Sequence, residues 1–376
     1  MRSGAPRAPS VRTRIERRID VTLIEAQPSI APSAHAAIRT RALRKVYPLA
    51  PARKGAPRPG ASAAARPGAA PATATGAPST GVVALEALDL EIRAGEFFGV
   101  LGPNGAGKTT TLGILTTRVL PTAGEAQVAG LDVVKESVGV RRVIGVVPQR
   151  PNPDRQLTVR ENLVFHASYF GIPRAIAEAR TSELLATFEI ADRADSKVDQ
   201  LSGGQQQRLM IARALIHDPH IIFLDEPTGG LDPHARLALW ETLKRIHREG
   251  RTIVLTTHYM EEADRLCERV AIIDRGKLLA LDTPANLKAS APGGTLIELT
   301  LDGDAAAALD AARALPGILR AEAERTRLRA FAERGGESIA GLIRAAEQAG
   351  RTVVDVHFAP PSLETLFVSM TGRRLE

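Results

Sequence analysis

Residues 102 to 109 read Gly102, Pro103, Asn104, Gly105, Ala106, Gly107, Lys108 and Thr109. The spacing GxxxxGK[ST] follows the apolar run Phe97 to Leu101 and precedes a helix-forming run from Thr109 and Thr110 to Leu120. This is anion chemistry. Glycines let backbone amides converge on a phosphate, a helix amino terminus favours negative charge, Lys108 is a point cation, and the Thr109 hydroxyl suits magnesium. The competing reading, a Gly-rich turn with a chance lysine, is disfavoured by a strand and a helix on the correct sides.

A second chemical group ends the apolar run Ile221 to Asp225, with Glu226 next in the chain. Such a run is expected of a buried parallel strand. The two carboxylates would divide the labour: Asp225 acting on magnesium, directly or through water, and Glu226 polarising a water for attack on the terminal phosphate. An apolar strand ending in two acids is commonplace by itself; the phosphate loop upstream gives the pair its meaning.

Leu201, Ser202, Gly203, Gly204 and Gln205, followed by Gln206, Gln207 and Arg208, narrow the reading further. This segment resembles the signature motif of the ATP-binding-cassette (ABC) ATPases. Gln149 after VIGVV resembles that family's Q-loop, Gly229 to Asp232 its D-loop, and His258 in TTHYMEEAD its switch histidine, all in the family's order between about Val82 and Asp282. The resemblance implies ATP and magnesium as ligands, Thr109, Gln149 and Asp225 around the metal, and Glu226, His258 and Gln149 at the reacting phosphate. It also implies that Ser202, Gly203, Gly204 and Gln205, with Asp232, act on the nucleotide held by a second subunit. A Ser-Gly-Gly that opens a helix is physically suited to an anion, although alone it is an ordinary helix cap. A lone histidine after a strand is likewise usually just hydrogen-bonded.

Tyr47, at the end of the first strand, is the family-like candidate for stacking on adenine; its bland reading is a partly exposed strand tyrosine. Residues 157 to 163 (LTVRENL) look like the segment that opens the helical subdomain of exporters. Pro361 to Phe367 followed by Thr371-Gly372-Arg373 looks like the tail of ABC type-2 exporter ATPases, of the drug-resistance, lipo-oligosaccharide and polysaccharide export type. The bland reading of that tail is an amphipathic helix packing on its own small domain.

These groups need a scaffold. From Glu96 to about Asp282, short apolar strands (FFGVL, VIGVV, IIFLD, TIVLTT, VAIID) alternate with helical stretches, and Val159 to Lys197 is helix-rich. The expected fold is α/β: a phosphate-loop cassette with a mostly parallel sheet, an antiparallel β subdomain and a helical subdomain. Residues 38 to 47 alternate like an edge strand; residues 48 to 80, almost wholly Ala, Pro, Gly, Arg and Thr, read as an insertion in a hairpin turn. The expected divisions are a disordered basic tail over 1–37, the ATPase domain over 38–284 with the 48–80 insertion, and a small split βαβ accessory domain over 285–376.

The 376 residues carry a net charge of +7, but unevenly. Residues 1 to 80 hold 14 basic and 3 acidic groups, leaving 35 basic and 39 acidic over the rest. The folded part is mildly acidic, which argues against nucleic acid as a partner. The tail could at most contact anionic lipid weakly, and the bland reading is a dispensable extension. One cysteine, Cys267, excludes an internal disulfide framework. No stretch approaches 18 uninterrupted apolar residues and no apolar signal core opens the chain. The expectation is a peripheral subunit on the cytoplasmic face of the cell membrane, pairing with a second cassette, as a homodimer, and with a polytopic permease. Two alternatives are a soluble ABC ATPase of iron-sulfur assembly, ribosomes or DNA, and an importer ATPase.

Overall fold

The apolar runs become strands because each is bounded by Gly, Pro or Asp and is rich in β-branched and aromatic residues. The computed structural model describes residues 36–48, 81–290, 295–333, 335–359 and 362–373. The tail as far as residue 35 and insertion residues 49–80 lie outside the described residues.

In chain order the elements are β1 (Ala36–Pro48), β2 (Gly81–Arg93), β3 (Phe97–Leu101), α1 (Lys108–Leu115), β4 (Ala123–Val128), β5 (Leu131–Asp132), α2 (Ser137–Val143), β6 (Ile144–Val147), α3 (Val159–Ser168), α4 (Arg174–Thr187), α5 (Gly203–Leu215), β7 (Ile221–Asp225), α6 (Pro233–Arg248), β8 (Thr252–Thr257), α7 (Met260–Leu266), β9 (Arg269–Asp274), β10 (Lys277–Asp282) and α8 (Pro284–Ser290). There follow β11 (Thr295–Leu301), α9 (Ala306–Arg313), β12 (Ile318–Glu324), β13 (Arg327–Ala332), α10 (Gly335–Gln348), β14 (Val353–Ala359) and α11 (Leu363–Thr371).

Three sheets result. The central one runs β10-β9-β3-β8-β7-β6, with β9, β3, β8, β7 and β6 parallel and β10 antiparallel at the edge. Strands β3, β7 and β8 are buried along their whole length, as strands covered on both faces must be. One face packs on an antiparallel sheet ordered β2-β1-β4-β5 and on α1. The other packs on α3, α4, α5, α6 and α7. The third sheet, β12-β13-β11-β14, is wholly antiparallel; with α9 and α10 on one face it forms the split βαβ pattern.

Three details differ from the sequence-based reading. Strand β1 begins at Ala36 rather than 38, and it is no edge: it pairs with β2 on one side and β4 on the other. Its alternation reflects one face turned to the core, which an inner strand of a two-sheet layer shares with an edge strand. The pairs Tyr47↔Val82 and Pro48↔Gly81 close the hairpin directly across residues 49–80. The helix after the phosphate loop stops at Leu115, not Leu120. The Arg118 and Val119 amides both donate to the Gly113 carbonyl, and Thr117 takes φ +62°; the β-branched pair Thr116-Thr117 is a poor helix continuation.

The terminal helix α11 does not pack solely on the β11–β14 sheet. Leu363, Leu366 and Phe367 enter the same core as the cassette helices, whereas Val368 packs on Leu296 and Phe331 of the accessory sheet. Arg329 on β13 holds the Gly372 carbonyl just past the helix, and Arg373 pairs with Asp274 at the end of β9. A short amphipathic sequence reveals that one side is apolar, but not which neighbour covers it.

Candidate functional site

The phosphate loop is the turn between β3 and α1. Gly107 sits at φ +106°, and a Cβ there would lie 2.6 Å from the Ala84 carbonyl of β2, so only glycine fits. Gly105 is also left-handed at φ +79°, with open space around it. Lys108 opens α1, and its Nζ donates to the Gly102 and Pro103 carbonyls at 2.8 and 3.1 Å. The loop is thereby curled around its own lysine. The Ala106 carbonyl accepts from Gly276, whose own carbonyl takes the Glu86 amide, tying the loop to the β9–β10 turn and to the hairpin.

Strand β7 delivers the two acids. Asp225 Oδ1 accepts from Thr109 Oγ1 at 3.2 Å and from Thr256 Oγ1 at 2.6 Å. Glu226 follows in a left-handed conformation, φ +46°, a costly choice for a residue with a side chain that is found at functional sites. Its amide is held by both the carbonyl and the hydroxyl of Thr256 at 3.1 Å. The twist turns its carboxylate back over the loop. Lys108 Nζ is 3.0 Å from Oε1, and Gln149 Nε2 and His258 Nδ1 each lie 3.1 Å from Oε2. Four separated segments of sequence converge there, and Glu226 and Lys108 are almost wholly buried.

Thr256 was not singled out from sequence. The available signal is a polar residue at the carboxyl end of an otherwise apolar buried strand, one strand away from Asp225, with which it is in register. Thr109 and Asp225 are hard oxygen donors facing one another, a donor set that fits magnesium. Among the described residues no cluster of three His, Cys, Asp or Glu side chains could hold a metal by itself.

Ser202 to Gln205 do not join this cluster. Ser202 caps α5 in a reciprocal box: its Oγ accepts from the Gln205 amide at 3.3 Å and Gln205 Oε1 accepts from the Ser202 amide at 3.0 Å. Ser202 and Gly203 are exposed, and nothing lies within 4 Å of a Cβ built on Gly203. Asp232, also exposed, caps α6 by accepting from the Ala235 amide at 2.9 Å. Among the described residues, none of Ser202, Gly203, Gly204, Gln205 or Asp232 hydrogen-bonds to the Lys108, Asp225 and Glu226 group. Tyr47 stands apart as well, 39% exposed, with Lys45 Nζ 5.0 Å from its ring centroid. The hairpin that carries it touches the loop at Ala84 and Leu85.

Helix α3 opens the helical subdomain with another reciprocal cap, Thr158 and Glu161. Asn162 anchors the preceding turn through the Asp154, Leu157 and Thr158 carbonyls. Phe165 and Tyr169, on one side of α3, are exposed and in edge contact at 5.3 Å. Among the described residues no helix is long and apolar enough to cross a membrane.

The family described as ABC transporter matches residues 85–229. A daunorubicin resistance ATP-binding protein of Streptomyces coeruleorubidus is 38% identical over 289 residues, covering 77% of this chain and 91% of that protein. A Nod factor export ATP-binding protein I of Cupriavidus pinatubonensis is 40% identical over 298 residues, covering 78% and 87%. Among solved structures, a dimeric ATP-binding cassette in a post-hydrolysis state with ADP and phosphate superposes with a TM-score of 0.54 at 28% identity, over 65% of this chain and 98% of that one.

Proposed function

This chain belongs to the ABC transporter ATPase family, and from that premise we infer that it is the ATP-hydrolysing subunit of an exporter, powering a separate membrane-spanning subunit. The observation that carries the reading is the convergence of Lys108, Gln149 and His258 on the Glu226 carboxylate beside a phosphate loop. The likeness, over 77% and 78% of this chain, to ATPases named for drug resistance and Nod factor export supports export over import.

ATP binds with its phosphates on the amides of Gly105 to Thr110 and on Lys108, which exchanges Glu226 for phosphate oxygen. Glu226 then accepts a proton from the attacking water, while His258 and Gln149 hold the terminal phosphate and that water in line. A magnesium ion held through Thr109, Asp225 and Gln149 would neutralise charge on the phosphate oxygens. The exposed caps at Ser202 and Asp232 are open to a second copy. Each copy's Ser202, Gly203, Gly204 and Gln205 close on the other's nucleotide, so ATP stabilises the dimer and hydrolysis releases it. Tyr47 provides the aromatic face for adenine once Lys45 moves aside. Phe165 and Tyr169 offer the apolar surface on the helical subdomain for the permease, which would hold the subunit at the cytoplasmic face of the membrane.

The test is co-purification. A tagged Glu226→Gln chain, extracted from native membranes with mild detergent and ATP, should bring down a polytopic membrane protein in stoichiometric amount. A soluble partner, or none with all the protein in the cytosol, would transfer the assignment to a non-transport ATPase. Weak contact of the basic tail 1–37 with anionic lipid is a separate proposal; an unchanged membrane-bound fraction after deleting those residues overturns it.

A further inference from the structure

Four residues beyond His258 the chain buries a carboxylate that phosphate chemistry does not use. Glu262, on α7, is fully buried, and its Oε1 accepts the Trp240 indole N–H at 3.1 Å. Its Oε2 has no hydrogen-bond partner among the described residues, and neither do the buried Thr228 Oγ1 and Arg236 Nε. Burial pushes the carboxyl above the ordinary glutamate range, opposed by the Thr257 and Thr228 hydroxyls, which lie near it but outside hydrogen-bond geometry, by the Trp240 N–H and by the Arg236 guanidinium. An unused acceptor facing an unused hydroxyl donor in a dry core is costly and demands an explanation.

The neighbours supply one. Thr257 Oγ1 accepts the Tyr259 amide at 2.9 Å, shaping the turn that carries His258. The Tyr259 ring lies 4.1 Å from the His258 ring, and the Arg236 guanidinium covers its face at 4.5 Å. Thr228 belongs to the segment that runs from Glu226 to Asp232: Gly229 donates to the Glu226 carbonyl and Leu231 to the Thr228 carbonyl. Arg236 donates its amide to the Asp232 carbonyl. The Glu262 carboxylate therefore stands between the turn of the switch histidine, the segment that leads to Asp232, and helix α6.

We propose that Glu262 is a positioning residue for hydrolysis, joining the His258 turn to the Thr228–Asp232 segment, with the Thr228 hydroxyl as the donor its free oxygen takes up in the closed dimer. It acts through His258 and Asp232 and touches no nucleotide. A movement of Asp232 against a partner subunit is transmitted to His258 through this link, because both ends are packed and neither can shift alone. The proposal rests on the assignment of hydrolysis to Glu226.

Steady-state ATPase assays on purified full-length protein test it, with the fraction folded measured by circular dichroism. Glu262→Ala should lower kcat about tenfold or more with KM for ATP within about twofold, the pattern of a lost transition-state arrangement. Glu262→Gln, which keeps the shape and the Trp240 acceptor, should restore kcat to within about threefold of wild type. Thr228→Val should lower kcat about fivefold, and adding it to Glu262→Ala should lower kcat no further, as for two ends of one link. A kcat loss that only tracks the unfolded fraction, a parallel rise in KM, a wild-type rate for Thr228→Val, or multiplying effects in the double variant would each overturn it. Where Glu262→Ala does not fold, Thr228→Val decides alone. Wild-type hydrolysis with silent Glu262 and Thr228 variants rejects this link and leaves the Glu226 assignment standing; absence of wild-type hydrolysis rejects that assignment instead.

Discussion

Lys108 Nζ lies 3.0 Å from Glu226 Oε1, and the two side chains are 4% and 8% exposed. A buried ion pair of this kind holds two charges that would each be costly alone. On the proposed mechanism, the lysine that receives phosphate and the carboxylate that receives a proton satisfy each other first. On that mechanism, arriving phosphates would compete with Glu226 for Lys108, and that exchange would free the carboxylate.

Replacing Glu226 with Gln removes both the proton acceptor and the competitor for Lys108. Phosphate release should fall by about two orders of magnitude or more, the range for loss of a general base. ATP affinity, followed with a fluorescent nucleotide, should be equal to or tighter than wild type. The variant should elute as a dimer with ATP and as a monomer without it. Retained turnover would remove Glu226 from its role.

In the proposed dimer, Ser202 and Lys108 act on the same nucleotide only across two copies of the chain. Ser202→Arg should bind ATP normally as a monomer yet not hydrolyse it, and Lys108→Ala should fail at binding. A mixed dimer of these two dead variants contains one intact composite site. Equal mixing should therefore restore roughly a quarter of wild-type activity, from half the dimers with one of two sites. No recovery on mixing would argue against a site shared between subunits.

Phe367, fully buried, joins the terminal helix to the cassette core. Phe367→Ala should cost about 3–5 kcal/mol, the range for truncating a core aromatic. Limited proteolysis should then cut the accessory region from the cassette faster than in wild type. An unchanged cleavage rate and thermal midpoint would show that α11 is not held there.

His217 stacks on Phe170 at 3.7 Å, and its Nε2 meets the Ile144 carbonyl at 2.9 Å. Burial lowers its pKa to about 4, and His166 beside it is likewise lowered to about 4, chiefly by burial with Arg213 and His217 adding. The ordinary value is 6.5. The folded chain thus refuses protons that the unfolded chain accepts between these limits. The contribution of these two histidines is complete above pH 6.5, is lost as pH drops below it, and is gone near pH 4. For His217 the full loss is roughly 3 kcal/mol at about 1.4 kcal/mol per pH unit. Urea unfolding at pH 7 and 5 should show the loss in wild type and a smaller one in His217→Gln.

The phosphate loop, the Asp225-Glu226 pair, the Ser202 cap and the alternation of strand and helix are legible in the chain because each is a local matter. Glycine dihedrals, hydroxyl caps and apolar period depend on residues a few positions apart, and the sequence alone determines them. The family and its ATP chemistry follow from those motifs in their order. Long-range matters were decided elsewhere. That β1 is an inner strand depends on β4, some 80 residues away, and that α11 covers the cassette depends on which apolar face meets it. Thr256 under Asp225 and Glu226, and Glu262 between Thr228, Thr257 and Trp240, owe their partners to strand order and helix packing. Only the tertiary structure places a hydroxyl or a carboxylate beside groups tens of residues distant, because burial and register are properties of the whole packed core and not of any one segment.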